Sequence, residues 1–156
     1  FFIIGGGEDK EMLKSYCYDN DISFSDESNN KHDKLLCFTS WIKDIDIAYS
    51  GLDIVALTSL NEGTPVAIIE AQASNKPVVC TRVGGIEDIV LENETGFIAE
   101  KDDIDEFSLK LLKLINDDNL RDKFSRKGYL HVKEKFSHKR LVRDMKMHYE
   151  KLLANL

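Results

Sequence analysis

Apolar and polar positions follow two rhythms along this chain. Short apolar blocks alternate with helical spacings up to about residue 102, and from Asp103 onward only the helical spacing remains. The blocks predict strands over Phe1–Ile4, Leu35–Thr39, Asp53–Thr58, Pro77–Thr81 and Gly96–Ala99. Between them the spacing predicts helices over Glu8–Tyr18, Ile45–Ser50, Pro65–Ser74 and Ile86–Val90, the third with Val66, Ile69 and Ala73 on one face. The stretch Asn20–Lys34 is rich in Ser, Asp and Asn, lacks periodicity, and predicts a mobile surface loop. In the last third, Ile104, Phe107, Leu111 and Ile115 form one stripe, and a helix over Asn119–Lys135 carries Leu120, Phe124 and Val132. Ser137 is placed to cap a final helix with Val142, Met145, Tyr149 and Leu152 in line, a stripe expected to pack in a core or across a domain contact.

Strands alternating with helices imply an α/β fold with a parallel sheet and helices on both faces, here followed by a helical tail. In such folds a ligand lies outside the carboxyl ends of the strands. Those ends are Gly5–Gly7, Ser40–Trp41, Ser59–Thr64 and Arg82–Gly85, and all four are expected to line one crevice.

One of these ends carries unusual chemistry. Glu62-Gly-Thr-Pro-Val-Ala-Ile-Ile-Glu70 follows the apolar run Asp53–Ser59 and leads into an apolar helix. A strand, a tight turn and a helix start in that order make an anion site, because the first-turn N–H groups lack partners and the macrodipole favours negative charge. Thr64 is an expected N-cap and Pro65 suits the first helical position. Two carboxylates beside an anion site are costly unless they bind something else, and hydroxyls are the obvious candidates. A nucleotide sugar, with phosphates and vicinal diols, meets both demands. Glu62 reads either as a solvated loop carboxylate or as a ligand group. Glu70, between Ile69 and Ala71, leans back toward the helix start and needs donors that ribose hydroxyls would supply.

Composition narrows the classes. The 156 residues suit one domain, 42% are hydrophobic and 31% charged, and the apolar runs are far too short to span a bilayer. A formal net charge of −7 makes nucleic acid a poor partner. Three cysteines, Cys17, Cys37 and Cys80, do not make a disulfide framework. Cys37 and Cys80 lie in apolar runs and are expected as buried thiols, which suggests a reducing cytoplasm. Asn93-Glu-Thr95 is expected to be a polar turn. The chain opens directly on a strand, so a piece of a longer protein is expected.

Other candidates are weaker. Gly5-Gly6-Gly7-Glu8 lacks the G-x-G-x-x-G spacing, since position 10 is Lys10, and it reads as a tight turn or as a close approach to a base or ribose. His32, His131, His138 and His148 show no metal-ligand spacing, and neither a P-loop nor a Gly-x-Ser-x-Gly elbow is present.

Taken together, these motifs resemble the C-terminal domain of family-4, or "group 1", retaining glycosyltransferases of the two-Rossmann-domain GT-B type. The resemblance rests on Glu62-x7-Glu70 with its Gly-Thr-Pro, on Phe38-Thr-Ser-Trp-Ile-Lys-Asp44 before a short helix containing Tyr49, and on Leu52–Ser59. Asn75-Lys-Pro-Val-Val79, Thr81-Arg-Val-Gly-Gly-Ile-Glu-Asp88, Asn93-Glu-Thr-Gly-Phe97 and the closing helices after Phe136-Ser137 extend it over nearly the whole chain. It implies a Rossmann-like three-layer domain that binds a nucleoside diphosphate sugar. Glu70 would bind the ribose hydroxyls and Glu62 the donor sugar near the reacting centre, in a positioning role. Backbone N–H groups around Gly63, Thr64 and Val66, the successor of donor-site Pro65, would hold the diphosphate or sugar, and Ser40, Trp41 and Ile42 would frame the nucleobase. Ser40 stands where the family commonly has glycine. Gly5 is a further donor contact on this reading. Arg82 is the one local candidate for neutralising the diphosphate, or else a surface residue.

The implied reaction is transfer of the sugar, with retention of anomeric configuration, to a glycan or lipid-linked acceptor, with no cofactor and no obligatory metal. The acceptor would be held by an N-terminal domain outside this chain, so the chain alone is expected to be inactive and to bind nucleotide weakly. A cytoplasmic location is implied, with the inner face of the membrane and a peripheral membrane association of the full protein as alternatives. A nucleotide-sugar epimerase of similar fold and a non-catalytic nucleotide-sugar binding module are the competing functions.

Overall fold

The computed structural model describes residues 1–26 and 34–154. The chain falls into two compact units, Phe1–Ala48 and Tyr49–Leu156.

In the first unit, β1 (Phe2–Ile4), β2 (Phe24–Ser25) and β3 (Leu36–Ser40) form a parallel sheet in the order β1-β3-β2, with α1 (Lys10–Asp19) crossing between β1 and β2. β3 is the central strand and pairs in register Phe2 to Cys37 and Phe24 to Leu36. The two-residue β2 lies inside the stretch expected as a loop. Phe24 explains it: its ring packs edge-on against both Phe38, at 5.4 Å, and Tyr18, at 5.1 Å. The remainder of that expected loop, 27–33, lies outside the described residues.

α2 (Ile45–Gly51) spans the boundary between the units. The second unit then winds β4 (Val55–Leu57), α3 (Val66–Ala73), β5 (Val78–Thr81), α4 (Ile86–Ile89) and β6 (Gly96–Ala99) into a parallel sheet in the order β4-β5-β6. The parallel α/β character agrees with the sequence reading. The strands are divided between two three-stranded ladders, where one sheet was expected. Val78, Val79 and Cys80 of central β5 are fully buried, as a strand covered on both faces must be.

Three helices close the second unit: α5 (Ile104–Ile115), α6 (Asp118–Lys135) and α7 (His138–Leu153). Each starts on a side-chain cap, with Asp103, Asp117 and Ser137 accepting from the N–H groups of Glu106, Leu120 and Arg140. The core beneath them gathers Val79, Phe97, Leu114 and Phe124, with Ile54, Phe107, Leu111 and Leu120 against it. Phe97 and Phe124 meet edge-on at 5.0 Å.

Several expected faces are corrected. On α3 the buried positions are Ile68, Ala71 and Gln72, whereas Val66 and Ala73 are exposed. In a helix apolar nearly all round, hydropathy cannot set the phase, and burial of a glutamine hides it further. On α5 the inward line is Phe107, Leu111 and Leu114, with Ile104 exposed. α7 has the predicted stripe, but Val142, Met145, Tyr149 and Leu152 are all exposed, so it is not core in the described residues. Cys80 is buried as expected, whereas Cys37 is half-buried. Among the described residues no helix is long and apolar enough to cross a membrane.

Candidate functional site

The polypeptide leaves β4 at Leu57, makes the loop to Pro65, and enters α3 at Val66. Pro65 is buried, extended at φ −70 and ψ 100, and is itself the N-cap. This corrects two expectations. Thr64 makes no cap bond, and Pro65 sits one place before the first helical residue. Proline's fixed φ suits a helix and an extended entry alike; ψ 100 places Pro65 outside the helix, which therefore starts one residue later. The first helix-type bond is Ile68 N–H to the Pro65 carbonyl at 3.1 Å, which leaves the Val66 and Ala67 N–H groups at the open end. No acidic residue occupies that first turn.

Glu62 precedes this helix start and Glu70 lies one turn into the helix, and each meets a hydroxyl. Glu62 is half-buried and its Oε1 accepts from Ser59 Oγ at 2.6 Å. Glu70 is half-buried one turn into the helix, with the Tyr49 hydroxyl 3.5 Å from its Oε2. Tyr49 is buried and donates mainly to the Ala67 carbonyl at 3.0 Å. Burial, and then the Glu70 charge, push its phenol up to about 12. Burial, and then the Glu62 charge, likewise push the Cys80 thiol up.

The loop that carries Glu62 is locked from the next strand end. The Thr81 hydroxyl at the end of β5 donates to the Ser59 carbonyl at 2.6 Å. Gly85 N–H donates to the Gly63 carbonyl at 2.8 Å. Gly84 has φ +50, and a Cβ there would overlap the Glu62 carbonyl oxygen; a Cβ at Gly85 would stand 2.5 Å from the Gly63 oxygen. Glycine is required at both places for close backbone approach, and at Gly84 for the left-handed conformation as well. Gly63 differs. A Cβ on it would meet nothing within 4 Å, so nothing in the described fold demands glycine there.

Arg82 is occupied. It pairs with Glu87, with Glu100 at 2.6 Å and with Glu92 at 3.6 Å, and the Glu100 hydrogen bond leads in raising its pKa. Lys110 joins the same cluster through Glu92 and Glu106.

In the first unit the structure gathers Gly5, Gly6, Ser40 and Trp41. Gly5 N–H donates to the Ser40 carbonyl at 2.8 Å, and Lys10 Nζ donates to Ser40 Oγ at 2.7 Å. Ser40 adopts φ +54, which accounts physically for a preference for glycine at this place. Trp41 is 82% exposed and lies over Gly6, where an added Cβ would stand 3.0 Å from its Nε1; Ile42 is half-buried.

The two glutamates and their turn are legible in the sequence; Ser59 and Thr81 carry no signal there as supports, and Tyr49 stands out only as part of a motif. The doublet Gly84-Gly85, three residues past the end of β5, is the available signal that another backbone passes close by.

The family model described as "Glycosyl transferases group 1" matches residues 1–131. The capsular polysaccharide biosynthesis glycosyltransferase CapM of Staphylococcus aureus is 36% identical over 105 residues, covering 67% of this chain and 28% of its own length. The UDP-Gal:alpha-D-GlcNAc-diphosphoundecaprenol alpha-1,3-galactosyltransferase of Escherichia coli is 33% identical over 117 residues, covering 75% of this chain and 28% of its own. Among solved structures, the C-terminal domain of the group 1 family protein LpcC from Francisella tularensis superposes with a TM-score of 0.69 at 29% identity, over 83% of this chain and 63% of that domain. The chain thus spans under a third of the length of either curated relative.

Proposed function

The chain belongs to the group 1 glycosyl transferases and has the Rossmann-like C-terminal domain of a GT-B enzyme, and from that premise we propose that it is the donor-binding half of a retaining transferase that uses a nucleoside diphosphate sugar. The observation that carries this reading is the α3 start itself. Val66 and Ala67 offer N–H groups without helix-type partners, half-buried Glu62 precedes them and half-buried Glu70 follows one turn on, and a Cβ on Gly63 would meet nothing within 4 Å.

In this reading the α3 N-terminus meets the diphosphate and stabilises the charge that grows on it as the glycosidic bond breaks. Glu70 accepts from the ribose hydroxyls. Glu62 accepts from hydroxyls of the transferred sugar and so positions the anomeric carbon. Gly63, Thr64, Pro65 and Val66 supply the backbone against which the ligand lies. Ser40, Trp41 and Ile42 are assigned to the nucleobase, and Gly5 to the donor, on the family resemblance alone. Arg82 is left out, because three carboxylates already hold it. No metal is invoked. The E. coli relative is named for a UDP-sugar donor and a diphosphoundecaprenol acceptor. A uridine nucleotide and a glycan or lipid-linked acceptor are therefore the first classes to try, with the cytoplasmic face of a membrane as the place of reaction.

Calorimetric titration of the full protein with UDP-, GDP- and ADP-sugars tests this, with Glu70→Ala as control. One donor is expected to bind, and Glu70→Ala to weaken it by tenfold or more, roughly the loss of a charge-assisted hydrogen bond. Undiminished binding by the variant removes the ribose assignment. An isomerised nucleotide sugar in the absence of acceptor would point to epimerisation instead.

A further inference from the structure

We propose that Ser59 is a positioning residue for Glu62, fixing that carboxylate so that its remaining lone pairs face the hydroxyls of the donor sugar and not those of the nucleotide. The inference rests on the donor-binding reading above and deepens it.

A glutamate on a loop is a poor positioning device by itself, because three side-chain torsions and the loop backbone are all free to move. Here both ends of Glu62 are tied. Its backbone is trapped by Gly84 packed on its carbonyl and by the Gly85 N–H bond to Gly63 at 2.8 Å. Its head is held by Ser59 Oγ at 2.6 Å, in the range expected for a hydroxyl donating to a carboxylate. Ser59 is itself fixed, since its carbonyl accepts from Thr81 Oγ1 at 2.6 Å at the end of β5. The sheet therefore orients Ser59, and Ser59 orients Glu62.

The hydroxyl has one proton, and it goes to Oε1. One lone pair on Oε1 and both on Oε2 remain. That set suits two adjacent hydroxyl donors on one sugar ring. Glu70 has a different neighbour, Tyr49 of α2, so the two carboxylates share no hydroxyl among these contacts.

The test uses the full protein with Ser59→Ala and Ser59→Thr, titrated with UDP-glucose, UDP-galactose, GDP-mannose and ADP-glucose and with the matching diphosphates. Ser59→Ala should leave the diphosphate affinity within about twofold and weaken the sugar nucleotide about tenfold, as expected for a site loosened at its support. Turnover should fall with it, and Ser59→Thr, which keeps the hydroxyl, should restore both. In a Glu62→Ala background, Ser59→Ala should have no further effect. Equal weakening of diphosphate and sugar nucleotide would mark Ser59 as a merely structural residue and overturn the proposal, as would no change in either. If the unmodified protein bound none of these compounds, the donor-binding reading itself would fall. If it bound one and Ser59→Ala did not separate sugar from nucleotide, only the Ser59 assignment would fall.

Discussion

Replacing Tyr49 by Phe should make the stabilities of the two proteins cross as pH rises. The hydroxyl donates to the Ala67 carbonyl at 3.0 Å, with Glu70 Oε2 3.5 Å away, and the side chain is 5% exposed. A net hydrogen bond of this kind contributes about 1 kcal/mol, so the variant should be less stable by about that amount near neutral pH. The phenol is pushed up to about 12 from 10.0, by burial first and then by Glu70. The charged form of tyrosine is the deprotonated one, so between those values the folded protein holds a proton that the unfolded chain has released. The stability tied to this proton is fully present below the unfolded pKa of 10.0 and is lost as pH rises through about 12. Two pH units at 1.36 kcal/mol each limit the loss to about 2.7 kcal/mol. The variant lacks this loss. It should therefore overtake the wild type near pH 11, where the ionisation cost first exceeds the hydrogen bond. Urea unfolding midpoints of both proteins from about pH 8 to about 11.5 give the difference directly, and all other titrating groups cancel in it. A difference that stays constant across that range would refute the argument that Tyr49 is held protonated by its surroundings.

Other substitutions separate fold from site. Gly84→Ala places a Cβ on the Glu62 carbonyl at φ +50 and should cost upwards of about 2 kcal/mol, visible as a lower thermal midpoint together with lost donor binding. Gly63→Ala meets no atom within 4 Å, so stability should change by less than about 0.5 kcal/mol while calorimetry shows weakened sugar-nucleotide binding. Gly128→Ala brings a Cβ to 2.8 Å from Gln72 Oε1, a buried atom with no hydrogen-bond partner among the described residues. Crowding at the fully buried Gln72 should cost about 2 kcal/mol, against the roughly 1 kcal/mol that alanine gains in a helix, so the urea midpoint should fall.

Much of this protein follows from local rules. Strand and helix positions were legible because burial on two sheet faces demands runs of Val, Ile and Leu, and because Ser137 announces the helix start it caps. The Glu62–Glu70 pair was legible because two carboxylates beside a helix start would repel a bound anion unless they themselves bind something else, such as hydroxyls. Phase was not legible in α3, where nearly every residue is apolar, nor was the two-residue β2, which depends on Phe24 meeting Phe38. What the tertiary structure alone decided is which groups hold the site. Thr81 reaches Ser59 across 22 residues, Tyr49 reaches Glu70 across 21, and Gly84 fits beneath the Glu62 carbonyl. Such contacts follow no spacing along the chain, because they are set by the approach of neighbouring strand ends in space. The sequence by itself determined that two carboxylates would bracket a turn and a helix start; only the folded protein determined that Ser59 holds one, Tyr49 adjoins the other, and Arg82 is spent on its own acidic neighbours.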